Sequence, residues 1–379
     1  MKIEEVFISD FRNLKDIPYL STSKINAFIG DNAQGKTNFL ESLYATLRGE
    51  SFRYYSSKKD WRSSSANALG VRIRVQSNLG NQHQVEMKLE SQTVRFLLNE
   101  KRIPASQLKI KHPIVVFSPD DHQLVRGEPE ERRRYVEDVL SDGVPGYSEL
   151  LYSYQKALKN RNILLKVARE KGLQKEIKNQ IQHWDALLAR EGVALLQLRE
   201  ESWPEYKKVF EQVIHEIFHT TRVDMKWKVF QKIPTESEYV DNLGISFEKD
   251  FYTARTNYGP HREDFELLIG DVSARSSASQ GQARVLAMGL RWSHAQWIRE
   301  RNMEDPLFFV DDFSSELDEH HRKALLERLF SSEGQVFLTG TKEAFLESNG
   351  SSNHSTKMFA KIPKSYIVNG KILDRDFIG

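Results

Sequence analysis

Residues 30–37 read GDNAQGKT, a stretch that opens with glycine and closes with Gly-Lys-Thr. The apolar residues of 25–29 predict a buried strand before it, and apolar residues recur at helical spacing from Phe39 to Leu47, up to Gly49. A glycine-rich loop between a strand and a helix turns successive backbone N–H groups toward the phosphates of a nucleotide. We therefore predict a phosphate-binding loop; the alternative is a glycine-rich turn that happens to contain a lysine.

The residues of this loop have separate expected tasks. Lys36 is expected to reach the terminal phosphates, and the Thr37 hydroxyl is expected to be a ligand of Mg²⁺. The predicted nucleotide-binding residues of the segment are Gly30, Asp31, Asn32, Ala33, Gln34, Gly35, Lys36 and Thr37.

Composition limits the kind of protein. Of 379 residues, 39% are hydrophobic and 28% are charged, which is typical of folded soluble proteins. The formal net charge is +2, so affinity for a polyanion has to come from local groups. The sequence contains no cysteine, which excludes disulfides and thiolate metal sites, and no apolar run long enough to span a membrane. We expect a cytoplasmic protein without membrane contact.

Three segments of the chain differ in periodicity. Residues 1–125 alternate apolar and polar positions as strands do, 126–220 follow helical spacing, and 221–379 return to strands and then alternate helix with strand. We predict an α/β protein whose core is built from both chain ends, with mixed sheets plus helices and an inserted helical lobe. The predicted domains are 1–125 with the phosphate loop, 126–220 as the helical insertion, and 221–379 as the C-terminal part of the core.

A pair of acidic residues follows the apolar run 306–310. Asp311 and Asp312 stand at the carboxyl end of this predicted strand, where open α/β sheets bind ligands. We predict that Asp311 holds Mg²⁺ and that Asp312 polarises the attacking water, so the predicted catalytic residues are Lys36, Asp311 and Asp312. The alternative for two acids after a strand is an ordinary turn or a helix N-cap.

A further polar segment precedes an apolar-periodic helix and consists of Ser279, Gln280, Gly281 and Gln282. A serine cap and the free amides of a helix N-terminus can bind an anion. Because the phosphate loop already provides one such site, we predict that these four residues complete the nucleotide site of a second subunit, with two ATP molecules between two chains. The alternative is a plain N-cap.

The order of these elements along the chain carries more information than any one of them. It is phosphate loop, helical insertion, SQGQ helix, and acidic strand followed by Ser315-Glu316-Leu317-Asp318. This order is found in ABC-type ATPases of the SMC class, and the chain resembles the RecF family of that class from end to end. Matching stretches include Phe11-Arg12-Asn13, GEPEERRRY at 127–135, GPHRED at 259–264 and DDFSSELD at 311–318.

The resemblance implies an ABC/SMC-type ATPase head with ATP and Mg²⁺ as cofactors. It also implies ATP-dependent homodimerisation on duplex DNA and at single-strand/double-strand junctions. RecR and RecO-type mediator proteins are the implied partners, in recombinase loading at single-strand gaps and in replication recovery. The alternative is an SMC-like or ABC transporter-associated ATPase subunit; such proteins normally have far longer helical arms or an LSGGQ-like signature.

Two further hypotheses concern hydrolysis and DNA. Because Asp312 is one methylene shorter than the Glu of most ABC ATPases, we expect a weak, DNA-stimulated ATPase that acts mainly as a switch. Thr341 is a hypothetical sensor of the γ-phosphate. Basic clusters that could neutralise DNA phosphates, or be solvated surfaces, are Arg53 with Lys58 and Lys59, Arg132–Arg134, and Lys156 with Lys159 and Arg161.

Overall fold

The structure is a computed structural model that describes residues 1–53, 56–62, 69–77, 80–90, 93–217, 222–228, 232–313, 319–342 and 362–373. Its strands are β1 (Lys2–Ser9), β2 (Ile17–Leu20), β3 (Ile25–Ile29), β4 (Gly70–Gln76), β5 (Gln82–Glu90), β6 (Thr93–Leu98), β7 (Lys101–Ile103), β8 (Ile114–Phe117), β9 (Val223–Lys228), β10 (Asp264–Ile269), β11 (Val272–Ser273), β12 (Leu307–Val310), β13 (Val336–Gly340), β14 (Lys364–Val368) and β15 (Lys371–Leu373).

The helices are α1 (Lys36–Arg48), α2 (Ala105–Lys111), α3 (Gln123–Arg126), α4 (Pro129–Gly143), α5 (Tyr147–Lys171), α6 (Lys175–Ile217), α7 (Glu236–Thr253), α8 (Ala274–Ser277), α9 (Gln280–Asn302) and α10 (Glu319–Ser331). Short 3₁₀ helices span Lys58–Trp61, Pro119–His122 and Pro260–Arg262. Within the described ranges, none of the helices is both long and apolar enough to cross a membrane.

The chain forms two compact units. Unit 1 comprises residues 1–123 and 279–379, and unit 2 comprises residues 124–278. The prediction of a core assembled from both chain ends around an inserted helical lobe is confirmed. The division differs from the predicted boundary near 220, because residues 221–278 group with the helices. Trp227 of β9 packs on Trp203 of α6, with ring centroids 4.3 Å apart, which ties this returning strand to the helical unit.

Unit 1 contains two six-stranded sheets. The first is antiparallel with the order β2-β1-β4-β5-β6-β7, and the second has the order β15-β14-β3-β13-β12-β8, in which every pair but β14–β15 is parallel. Buried side chains of both sheets and of α1 form one apolar core. Phe39 of α1 contacts Phe28 of β3 with ring centroids 4.4 Å apart. Because β3, β13 and β12 are parallel neighbours, the residues that follow them meet at one edge of the sheet.

The main elements of unit 2 are α4–α7 and a three-stranded antiparallel sheet of order β11-β10-β9; the short helix α8 also belongs to it. α5 has 25 residues and packs along α6, which has 43. The buried stripe of α5 carries Tyr147, Leu151, Tyr154, Ala157, Arg161, Leu165 and Ala168 at helical spacing. The one charged residue of this stripe is Arg161, and carboxylates inside unit 2 neutralise its charge.

Candidate functional site

The loop after β3 takes its shape from two glycines that have no room for a side chain. At Gly30 a Cβ would lie 2.4 Å from the carbonyl oxygen of Ile367. Gly35 has φ +115°, and its Cβ would lie 2.9 Å from a methyl carbon of Leu14 and 3.0 Å from the Asn13 amide oxygen. Both positions therefore require glycine, the second also for its backbone conformation.

The turn between β14 and β15 holds the loop from the other side. The Asn369 N–H donates to the Gln34 side-chain oxygen at 2.6 Å, and the Gly370 N–H donates to the Gln34 carbonyl at 3.0 Å. Gly370 has φ +74°, and a Cβ there would lie 2.0 Å from the Asn13 carbonyl oxygen. This support was missed at the sequence level, although Val368-Asn369-Gly370 is a turn signal between two strands.

Lys36 begins α1, and its ammonium group curls back over the loop. Nζ donates to the carbonyl oxygens of Gly30 at 2.7 Å and Asp31 at 2.9 Å. Burial lowers the pKa of Lys36, while the nearby Asp312, Asp311 and Asp31 charges act in the opposite direction. The lysine thus places a positive charge beside both the loop and the acidic pair.

Two threonine hydroxyls contact the acidic pair, one from the loop and one from β13. The Thr37 hydroxyl donates to Asp311 Oδ1 at 2.8 Å, and the Thr339 hydroxyl donates to the same oxygen at 2.8 Å. The Asp312 N–H in turn donates to the Thr339 oxygen at 2.9 Å. Burial raises the pKa of Asp311, whereas the hydroxyl donors Thr339 and Thr37 lower it. Asp312 lies at φ +46°, so its backbone turns sharply as the chain leaves β12.

A cleft with about 480 Å³ of open space adjoins the acidic pair. Its walls include Asp311, Asp312, His122 and Arg284, from the end of β12, the 3₁₀ helix after β8, and α9. In the same 3₁₀ helix, Asp121 accepts two N–H groups from one guanidinium of α9, that of Arg291, at 2.7 and 3.1 Å. The helix that begins with the SQGQ segment is therefore bonded to the wall of this cleft.

The SQGQ segment forms a capped, exposed helix start. Ser279 is the N-cap of α9: its hydroxyl accepts from the Gln282 N–H at 3.2 Å, and the Gln282 side chain accepts from the Ser279 N–H at 2.9 Å. All four residues, 279–282, are exposed. Among the residues that the structure describes, no hydrogen bond joins this segment to the phosphate loop.

The structure thus brings Gly30–Thr37 together with Asp311 and Asp312, and it leaves 279–282 facing solvent. Thr341 follows β13 directly and is half-buried; its sensor role stays a prediction. The predicted segment Ser315-Glu316-Leu317-Asp318 lies outside the described residues. Thr339 is the main site residue that sequence reasoning missed.

Two residues of the basic clusters are not surface groups. Arg132 is buried and forms two hydrogen bonds with the Asp264 carboxylate, each at 2.8 Å. Arg161 has no exposed surface and is paired with Asp185 and Asp250. Neither hypothesis for these clusters, DNA contact or solvated surface, holds for these two arginines, because both guanidiniums are buried and paired with carboxylates. Arg53 is partly exposed and donates to the Asn38 side-chain oxygen at 2.9 Å.

One comparison identifies the class of protein, and a second shows the same fold. The family model for the RecF/RecN/SMC N-terminal domain matches residues 2–362. The Smc head domain of Pyrococcus furiosus, solved with an extended coiled coil and the C-terminal domain of ScpA, is similar with a TM-score of 0.54 and 15% identity, over 98% of this chain and 95% of that chain. The second likeness shows the fold alone. The protein is an ATPase head of the RecF/RecN/SMC class.

Within that class, the chain is similar to RecF proteins along nearly its whole length. The DNA replication and repair protein RecF of Thermoanaerobacter pseudethanolicus is 30% identical over 353 residues, 92% of this chain and 96% of the relative. The solved structure of the recombination mediator protein RecF-ATPrS in the RecFOR pathway has a TM-score of 0.82 at 26% identity, over 99% of this chain and 98% of that chain. The chain belongs to the RecF family.

Proposed function

We propose that this protein binds ATP and Mg²⁺ at Gly30–Thr37 and Asp311, hydrolyses ATP slowly, and dimerises on DNA when ATP is bound. The observation that carries the proposal is the hydrogen bond of 2.8 Å between the Thr37 hydroxyl and Asp311, residues 274 positions apart. It places a hydroxyl and a carboxylate oxygen together at the N-terminus of α1. Oxygen ligands of this kind are those that Mg²⁺ prefers. Solved RecF structures with ATPrS and with ATP support the choice of nucleotide.

The residues of the site fit a bound triphosphate. Gly30 and Gly35 let the loop pack closely against Ile367, Leu14 and Asn13, and Lys36 supplies a cation beside the loop. The metal ion would neutralise charge on the phosphate oxygens. Asp312 would accept a hydrogen bond from the attacking water and orient it. Because aspartate is shorter than glutamate, this contact is expected to be weak and hydrolysis slow.

The exposed start of α9 supports a nucleotide site that is completed by a second copy of the chain. The first N–H groups of a helix have no acceptor within the helix. The Ser279 hydroxyl satisfies the Gln282 N–H. Within the described part of the chain, no acceptor bonds the amides of Gln280 and Gly281, so both are available to an anion. We propose that residues 279–282 contact the ATP held by the partner's phosphate loop, so that two ATP molecules lie between two chains.

The proposed cellular role follows the printed names of the relatives, a DNA replication and repair protein and a recombination mediator in the RecFOR pathway. We propose a cytoplasmic protein that binds duplex DNA and single-strand/double-strand junctions. With RecO and RecR-type mediator proteins it would load a recombinase at single-strand gaps and assist replication recovery.

Dimer formation with ATP tests the proposal. The native chain, Lys36→Met and Ser279→Arg are compared by light scattering in the presence of duplex DNA, with and without ATP. Native protein should associate, each variant alone should fail, and a mixture of the two variants should recover one of the two composite sites and associate weakly. Equal self-association by all three proteins, or none by the native chain with ATP and DNA, would contradict it.

A further inference from the structure

The solvent-facing side of α5 carries a stripe of residues, which we call the α5 stripe, made of Tyr152, Lys156, Lys159, Ile163 and Lys166. Their spacing of four, three, four and three residues keeps all five on one helix face. Tyr152 is 51% exposed and Ile163 is 49% exposed, and the three lysines are exposed as well. The opposite side of the same helix is the buried stripe that contains Arg161.

The three lysines have no ion-pair partner among the residues that the structure describes. The sequence explains this, because no acid occurs from Leu150 to Arg169, a length of about 30 Å of helix. The acids that flank this stretch on the same helix face are Glu149, three residues before Tyr152, and Glu170, four residues after Lys166. Beside the stripe, Glu137 of α4 accepts a hydrogen bond from Gln155. Arg132 and Arg161, by contrast, form ion pairs with carboxylates inside unit 2.

The spacing of these charges suits a polyanion whose charges repeat along an axis. Lys156 and Lys166 stand about 15 Å apart along the helix, with Lys159 between them. Duplex DNA carries a phosphate on each strand about every 3.4 Å of its axis, so the lysines extend along roughly four base pairs. Tyr152 adds a hydroxyl donor of the kind that contacts phosphate oxygens. Protein-binding surfaces are depleted in lysine, so the composition favours DNA over a protein partner.

We propose that the α5 stripe binds the sugar-phosphate backbone of duplex DNA. The inference rests on the proposed function, which requires DNA binding but assigns it to no surface. The contacts are to phosphates, so they supply affinity without sequence preference.

The test is a salt titration of DNA affinity with the full-length chain and ATP present. Fluorescence anisotropy with a labelled 30-base-pair duplex gives the slope of log K against log salt concentration. Replacing all three lysines, as Lys156→Gln with Lys159→Gln and Lys166→Gln, should reduce the slope by about 0.9 per lost contact, or about 2.7 in total. Between 50 and 200 mM salt, native protein should then lose about 40-fold more affinity than this variant.

A matched control removes three exposed lysines elsewhere in unit 2, as Lys175→Gln with Lys178→Gln and Lys208→Gln. Each of these lysines lies within three residues of an acid, Glu176 or Glu205, and the loss of net charge is the same. The control should keep the native slope. ATP-dependent dimerisation of both triple variants should match that of the native chain, because neither set lies in the nucleotide site.

The outcomes separate this proposal from the proposed function. A slope reduced only in the stripe variant supports the DNA surface. If both triple variants keep the native slope, or if both reduce the slope by the same amount, the α5 stripe is not the DNA surface. The stripe would then contact a protein partner or only solvent, and the proposed function would stand. If the native chain binds no duplex with ATP at low salt, the proposed function and the stripe assignment both fail.

Discussion

Replacing Arg161 should destabilise unit 2 strongly, because its charge is buried on the inner side of α5. The guanidinium donates to Asp185 at 2.5 Å, to Asp250 at 2.7 Å and to the Thr256 hydroxyl at 2.9 Å. Arg161 and Asp250 have no exposed surface, and the four residues come from α5, α6, α7 and the segment after α7. One side chain therefore joins three helices.

The expected magnitude follows from what remains after the change. Arg161→Met leaves the Asp250 carboxylate buried, with Asn257 donating to one oxygen and only the Ser246 hydroxyl, at 3.3 Å, near the other. Removing one partner of a buried ion pair costs about 3–5 kcal/mol. Arg161→Lys keeps the charge but presents a single donor group, and it should cost about 2 kcal/mol because one or more charged hydrogen bonds are lost.

Urea unfolding monitored by circular dichroism gives these free energies, and amide hydrogen exchange in α5 and α7 locates the loss. Lys159→Met on the exposed side of α5 is the control and should change stability by no more than about 0.5 kcal/mol. Adding Asp250→Asn to Arg161→Met should restore part of the lost stability, because the unpaired charge disappears. An Arg161→Met variant within about 1 kcal/mol of native protein would refute the buried ion-pair account.

Two further predictions concern the phosphate loop and acid stability. Gly370→Ala should weaken ATP binding, because its Cβ would collide with the Asn13 carbonyl and displace the turn that bonds Gln34. Gly80→Ala, with φ +80° and open space, controls for backbone strain, and equal ATP affinities in equilibrium dialysis would contradict the expectation. Burial lowers the pKa of His112 to about 3. Below about pH 6.5 this histidine is protonated in the unfolded chain but stays neutral in the folded chain, so the free energy of unfolding decreases as the pH falls. Between pH 7 and 5 native protein should lose about 2 kcal/mol more than His112→Leu in urea unfolding, whereas parallel pH curves would contradict this.

Local patterns predicted the elements that build the nucleotide site. The apolar run before the loop is β3, and the helix after it begins at Lys36 and is closed by Gly49 at φ +76°. The apolar run before Asp311 is β12, buried throughout. These signals are local, because a buried strand and an amphipathic helix each show their periodicity within a dozen residues.

The burial of two arginines was also readable from the sequence and was overlooked. Arg161 stands four residues from both Ala157 and Leu165, which places it on the apolar stripe of α5. Arg132 is likewise three residues before the buried Tyr135 of α4. A basic residue at helical spacing from buried apolar residues is predicted to form an internal ion pair. A basic residue three or four positions from other polar residues is predicted to lie on the solvent-exposed face of the helix.

The contact of Thr339 with Asp311 was not predicted from the sequence, because it depends on the order of strands in the sheet. β12 and β13 are parallel neighbours with Val310 beside Leu338, so the next residues along the two strands, Asp311 and Thr339, fall side by side. β13 also pairs with β3, with Gly340 beside Ile29, which places the phosphate loop against the same edge. The sequence contains all three strands but not their order. Once that order is known, a hydroxyl one residue beyond Leu338 has to meet the carboxylate one residue beyond Val310.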